Sequence, residues 1–239
     1  MTALALRAGV HRDVVRRLGL GILEGTWPPG GRLPNETDLC ARFEVSRTAL
    51  REAVRFLAAK GLIEARPRLG MVVRDRGSWN LLDPQLLAWQ REWGTFDPEL
   101  VRSLLEARRV VEPAAAAMAA ERATAADLAR IEAALFGMIR NLPGDLDACC
   151  KADLAFHREI LAASHNLVFA QLAGTIGAAL EASFRISTEL SRSYERTIEA
   201  HREVLEAIRL RDRTAAEARM RALIDVAQAD LAPALRELA

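Results

Sequence analysis

From Asp97 to the C-terminus the chain reads as helix almost without interruption, and this restricts its possible folds more than any other feature. Apolar residues recur at helical spacing, alanine-rich segments are frequent and strand signals are nearly absent. Punctuation at Thr124, Pro143-Gly144, His165-Asn166, Arg192-Ser193 and Asp212 divides the span into about six long helices, which predicts an α-helical bundle over residues 97–239. Gly174 and Gly177 fall inside one of these helices and are expected to permit close packing.

The first 76 residues have a different texture. Val14, Val15, Leu18, Ile22 and Leu23 form the apolar side of a helix over 10–24, which Trp27-Pro28-Pro29-Gly30-Gly31 ends. Asn35 caps a short second helix from Glu36 to Arg42 or Phe43. A third runs from Ser46, whose hydroxyl can accept a free amide hydrogen of the first turn, to Lys60, with Gly61 as a left-handed cap. Two short β-like runs, 62–65 and 71–73, follow around Arg66-Pro67-Arg68-Leu69-Gly70, which suits a hairpin loop. Three helices and a two-stranded hairpin predict a winged helix-turn-helix over 1–76, joined to the bundle by a connector over 77–96. Trp79, Leu82, Leu86, Leu87 and Trp89 of that connector are expected to dock on the helical body.

The third helix carries the chemistry. Arg47, Arg51 and Arg55 recur every four residues, and Leu50, Val54, Leu57 and Ala58 supply an apolar stripe opposite them. An arginine row is often only a solvated face, but the local sequence offers Glu52 alone to neutralise this one. The row therefore points to an anion. In a winged helix the N-terminal turn of this helix faces the major groove, so Ser46 and Thr48 can meet phosphate and Arg47 and Arg51 phosphate or guanine. Arg68 at the loop tip is placed for the minor groove. Charge agrees: residues 1–76 hold 14 basic and 8 acidic side chains, a net of +6, while the remainder is −5. A polyanion partner is expected for the first third only.

The rest of the composition excludes several classes. No apolar run approaches the roughly 18 residues that cross a bilayer, and the N-terminus is charged too early for a secretory signal. Cys40, Cys149 and Cys150 are odd in number and make no disulfide framework, which suits a reducing, cytoplasmic compartment. In the bundle, Asp153 and His157 stand four apart on one helix face and His201 lies on another helix. Such a set suits zinc or another divalent metal, and an Asp–His pair at this spacing is also a common local hydrogen bond.

The segment PPGGRLPNETDLCARFEVSRTALREAVRFLAAKGLIEARPRLGMVV is similar to the winged-helix signature of the GntR family of bacterial transcription regulators. DLAFHREILAASHN and EAHREVLEAI resemble the helical ligand-binding (FCD) domain of its FadR-type branch. WNLLDPQLLAWQ and EARRVVEPAAAAMAAERATAADLARIEAAL resemble members that respond to sugar acids of the galactonate type. The resemblance implies a homodimeric repressor that binds double-stranded operator DNA and is released by a small carboxylate effector. It implies DNA contacts at Ser46, Arg47, Thr48 and Arg51, with Arg68 and Gly70 on the wing. Thr37 stands where some members place a further DNA-contacting arginine. Asp153, His157 and His201 match three of the family's four metal ligands, and Leu223 stands where the fourth, a histidine, is usual. Arg108 matches an arginine that holds the effector carboxylate, although spacing alone also allows a surface salt bridge to Glu106, Glu112 or another acid. Within the family, another organic acid is the alternative effector. Outside it, a metal-dependent hydrolase is disfavoured because no general base accompanies the cluster.

Overall fold

The computed structural model describes residues 3–83, 86–87, 98–174, 177 and 194–237. The chain forms two compact units, Met1–Thr95 and Phe96–Ala239. In the first, helices α1 (Ala3–Leu23), α2 (Glu36–Phe43) and α3 (Arg47–Ala59) precede strands β1 (Ile63–Arg66) and β2 (Gly70–Val73). The strands pair antiparallel, with Ile63 opposite Val73 and Arg66 opposite Gly70. In the second, α4 (Pro98–Arg122), α5 (Ala125–Asn141), α6 (Leu146–Ala163), α7 (Tyr194–Arg209) and α8 (Arg213–Glu237) pack as a bundle. The break expected at Arg192-Ser193 and the side chain of Trp89 lie outside the described residues.

Local signals set the ends of the short helices. Asn35 accepts the Asp38 amide at 2.9 Å and Ser46 Oγ accepts the Ala49 amide at 3.2 Å. After α3, Gly61 adopts φ +77°, and a Cβ there would stand 2.2 Å from the Ser78 carbonyl oxygen, so this turn requires glycine on two counts. α1 starts at Ala3, earlier than its apolar period suggests.

The core of the first unit gathers Val14, Val15, Leu18 and Ile22 from α1, Leu39 and Phe43 from α2, Leu50, Ala53 and Leu57 from α3, and Ile63 and Val73 from the hairpin. Burying each large aliphatic side chain stabilises the fold by about 1.5–3 kcal/mol. The buried stripe of α3 is Leu50, Ala53 and Leu57, whereas Ala58 is exposed. That stripe follows the i, i+3, i+7 row and leaves Ala58 about 100° beyond it.

The expectation that the connector docks on the helical body fails for Trp79 and Leu86, which belong to the core of the first unit. After the wing the chain turns back along the end of α3. Asn80 donates its amide to the Lys60 carbonyl at 2.9 Å, and Lys60 and Asp83 pair at 2.6 Å. These contacts carry Trp79 inward, where its indole donates to the Arg74 carbonyl at 2.8 Å. Leu82 is left exposed.

In the second unit Thr124 and Asp127 form a capping box at the start of α5, Asp145 caps α6, and Asp212 caps α8 through the Ala215 amide. His165, at φ 49°, ends α6. α4 packs most extensively on α8, and α5 on α6. Ala116, Ala119, Ala120, Ile131, Leu135, Phe156, Ile160, Val204, Ile208 and Met220 form their common core. Among the described residues, a Cβ on Gly174 would meet nothing within 4 Å, so no close packing is seen there; at Gly177 the contact, 3.9 Å from Leu154, is ordinary.

Candidate functional site

Two places concentrate unusual side chains. The first is the exposed N-terminal turn of α3. Ser46, Arg47 and Thr48 are all open to solvent. The Ser46 oxygen accepts the capping bond and still carries a proton to donate. Among the described residues, Arg47 has no acidic partner. The free arginine row expected from sequence is otherwise corrected. Arg51 Nε meets Glu36 Oε1 at 3.0 Å and its Nη2 meets Oε2 at 3.3 Å, a two-point pair with the first residue of α2. Arg55 pairs with Glu52 at 2.8 Å. Local sequence could not reveal Glu36, because it lies 15 residues away across a turn. At the wing, Arg68 is exposed with φ 63°, and Gly70 has φ 81° with open space around it. Backbone conformation, not crowding, is what favours glycine there.

The second place lies inside the bundle. Arg108, Glu112, His157 and His201 are all buried, and Asp153 beside them is 14% exposed. α4 presents Arg108 and Glu112 one turn apart, α6 presents Asp153 and His157 one turn apart, and α7 presents His201. Arg108 Nε donates to Glu112 Oε1 at 2.5 Å. Spacing had allowed a surface salt bridge; the structure places this pair at 1% exposure on both sides. Neighbouring Arg109 is the surface residue, paired with Asp225 at 2.6 Å.

The other Glu112 oxygen accepts a hydrogen bond from His157 Nδ1. His201 Nδ1 donates to the Thr197 carbonyl at 2.6 Å. Each imidazole is thereby oriented with Nε2 toward Asp153 Oδ1, at 3.7 Å for His157 and 2.8 Å for His201. One atom from each of Asp153, His157 and His201 lies within 4.8 Å of the others. Ligand atoms about 2.1 Å from a tetrahedral ion stand about 3.4 Å apart, so these separations straddle the required value. An acceptor on the second ring nitrogen is also what holds a metal-binding histidine in its tautomer. The donor set therefore fits a divalent ion, which Asp153, His157 and His201 could hold.

Burial pushes the carboxyl of Glu112 up, but the Arg108 and His157 charges and their hydrogen bonds outweigh it and hold the group near a pKa of about 2. For Asp153, burial is outweighed by the His201 hydrogen bond and the charges of His157, His201 and Arg108, again to about 2. Both are ionised at neutral pH. Burial and the nearby Asp153 charge raise the Cys149 thiol to about 11, which keeps it protonated. Phe156 stacks edge-on against both imidazoles, with centroids 5.7 and 4.9 Å away, and forms an apolar wall. Leu223 is buried in the adjoining core. Among the described residues, the buried Arg108 Nη1 meets no hydrogen-bond partner. Such an orphan donor is costly unless something anionic or polar meets it.

Sequence reasoning named Glu112 only as one surface partner for Arg108 and missed its bond to His157. The signal was present. An arginine and a glutamate one turn apart stand just before the run Ala114–Ala117, with only Pro113 between, and a helix apolar on all sides is a buried helix.

The remaining buried polar groups serve the fold. Asp127 accepts from the Thr124 amide and hydroxyl at 2.7 Å and meets His165 Nε2 at 3.0 Å. Ser164 Oγ donates to the Leu161 carbonyl at 2.6 Å, and Arg122 donates to the Ser164 carbonyl at 3.0 Å.

Comparison with known proteins covers both units. Residues 4–73 match the family described as bacterial regulatory proteins, gntR family, and residues 103–226 match the FCD domain. The chain is 41% identical to the galactonate operon transcriptional repressor of Escherichia coli K12, over 85% of this chain and 89% of that one. It is 32% identical to the HTH-type transcriptional regulator LutR of Bacillus subtilis, over 83% and 90%. Among solved structures, a GntR protein of Streptococcus agalactiae is 27% identical, with a TM-score of 0.50, over 92% of this chain and 99% of that one. Lar, a protein that controls expression of the Listeria monocytogenes agr system, shares the fold with a TM-score of 0.66 at 20% identity, over 93% and 96%.

Proposed function

We propose, from the premise that this chain belongs to the gntR family of bacterial regulatory proteins and to its FCD-bearing branch, a repressor of sugar-acid catabolism genes. The chain is a DNA-binding transcription regulator with a small-molecule effector, not an enzyme. D-Galactonate, or a closely related six-carbon aldonate, is the proposed effector. One observation carries this reading. A fully buried arginine has an Nη1 without a partner among the described residues, beside a cluster fit for a divalent ion, in a chain 41% identical to a galactonate operon repressor. Nη1 suits one oxygen of a carboxylate, and the guanidinium fork is the side chain best shaped for that group. Asp153, His157 and His201 hold the proposed divalent ion, zinc or another of similar preference, which when bound supplies positive charge to an effector's oxygens. A ligand rich in hydroxyls requires a partner for each, so epimers bind less well.

At the other end, Ser46, Arg47, Thr48 and Arg51 read or grip the major groove, while Arg68, at the wing turn that Gly70 permits, enters the minor groove. Two copies bind a pseudo-palindromic operator as a homodimer in the bacterial cytoplasm. The effector acts by differential affinity for DNA-competent and DNA-incompetent states, so that binding shifts the population off the operator. No helix among the described residues is long and apolar enough to cross a membrane. The test is calorimetry with D-galactonate, gluconate, galactose and a fatty acyl thioester, run beside a DNA-release assay. Galactonate should bind and release DNA, and galactose, lacking the carboxylate, should do neither. Binding of the thioester with no response to any aldonate would overturn the assignment.

A further inference from the structure

Among the described residues, Glu112 alone is bonded to both halves of the buried cluster. Its Oε1 accepts from Arg108 Nε at 2.5 Å, and its Oε2 accepts from His157 Nδ1. We infer that Glu112 is a positioning residue that couples the arginine facing the effector to the histidine facing the metal, so that occupancy of either site changes the affinity of the other. The inference rests on the reading above, in which Arg108 meets the effector and Asp153, His157 and His201 hold the ion.

The coupling follows from how one carboxylate divides its charge. Arg108 and Glu112 are both 1% exposed and His157 is 2% exposed, so little solvent screens a change at one from the next. While Arg108 carries no other anion, its cation draws the Glu112 charge toward Oε1. An effector carboxylate on Arg108 competes for that cation and leaves more charge on Oε2. A stronger acceptor at Nδ1 makes the imidazole a better donor at Nε2. Effector and metal then favour one another, and the coupling is the same read from either site. Arg109 cannot stand in for Arg108, because it faces solvent and is paired with Asp225.

The experiment measures zinc affinity by chelator competition on four full-length proteins: the natural chain, Arg108→Met, Glu112→Gln and the double variant. Arg108→Met removes the competing cation and should tighten zinc by about threefold or more. Glu112→Gln should weaken it by roughly 10- to 100-fold, the usual effect of losing a group that orients a metal ligand. The tightening caused by Arg108→Met should disappear when Glu112 is already Gln. Equal effects of Arg108→Met in both backgrounds would overturn the coupling. Glu112→Gln alone strands a buried guanidinium and could prevent folding. The double variant, which removes both charges, then stands against Arg108→Met: about tenfold weaker zinc binding is expected, and equal affinity overturns the inference. A natural chain that takes up no zinc overturns the metal reading and this inference together, whereas additive variants in proteins that bind zinc overturn only the coupling.

Discussion

Replacing Arg108 by alanine removes the guanidinium that is buried beside the Asp153–His157–His201 cluster. Its Nε is already committed to Glu112, so the bond an effector carboxylate gains is the one from Nη1. A hydrogen bond to a charged partner contributes about 1.5–3 kcal/mol, which at about 1.4 kcal/mol per decade is a loss of about 10- to 150-fold in effector affinity. Operator affinity should stay within about twofold, because the proposed α3 contacts belong to a different compact unit. The expected protein is a repressor that binds DNA and cannot be induced. Calorimetry with D-galactonate gives the affinity, fluorescence anisotropy of labelled operator gives the release, and thermal unfolding checks that the fold survives. Stability should drop by about 3 kcal/mol, since Glu112 loses its buried counter-charge. Arg108→Met, which keeps the apolar stem, separates lost packing from lost recognition. Normal effector affinity and normal release in a folded Arg108→Ala protein would refute the argument, and the anchor would lie elsewhere.

Arg47→Ala should weaken operator binding by about 1–3 kcal/mol if the contact is to a base, or reduce the salt slope by about 1 if it is to phosphate; unchanged affinity and slope would remove α3 from the interface. Protein purified without chelators should hold one divalent ion per chain by elemental analysis, and stripping it should lower the melting temperature; a metal-free protein with a full effector response would sink the site. Asp127 binds its proton more weakly folded than unfolded, its pKa falling from 3.8 to about 2 against the opposing effect of burial, because Thr124 and His165 bond its ionised form. Its contribution, about 2 kcal/mol, is complete above about pH 5 and is lost as pH falls toward 2. Acid titration of Asp127→Asn should accordingly show a shallower loss of stability between those limits, and an unaltered slope would contradict the assignment.

The parts of the fold that were legible in the sequence are the locally coded ones. Asn35, Ser46, Gly61 and Thr124 each mark an end through bonds spanning three or four residues, and that chemistry reads directly from the chain. The Ala53–Ala58 misreading has another origin. Both alanines are apolar and small, and only the seat of α3 against α1 decides which is covered. Glu36 and Arg51 meet because a turn brings α2 to α3, so no helical period links them. The buried cluster was half visible. Asp153 and His157 share a face by spacing, but that Arg108 and Glu112 lie inside follows from packing α4 against α6 and α8. An i, i+4 pair of opposite charges looks the same on paper whether water or protein surrounds it.

Pro113 lies within α4, immediately after Glu112. A proline supplies no amide hydrogen, so the ladder of α4 lacks one rung at the level of the buried pair, and bending costs least there. The fifteen residues from Pro98 to Glu112 then form an arm about 22 Å long at 1.5 Å per residue. Pivoted at the proline, a tilt of about 10° would carry the far end through about 4 Å. A displacement at Arg108 too small to disturb the packing of Ala115 to Ala120 would thus be magnified along α4 toward Pro98, the end that follows the first unit in the chain.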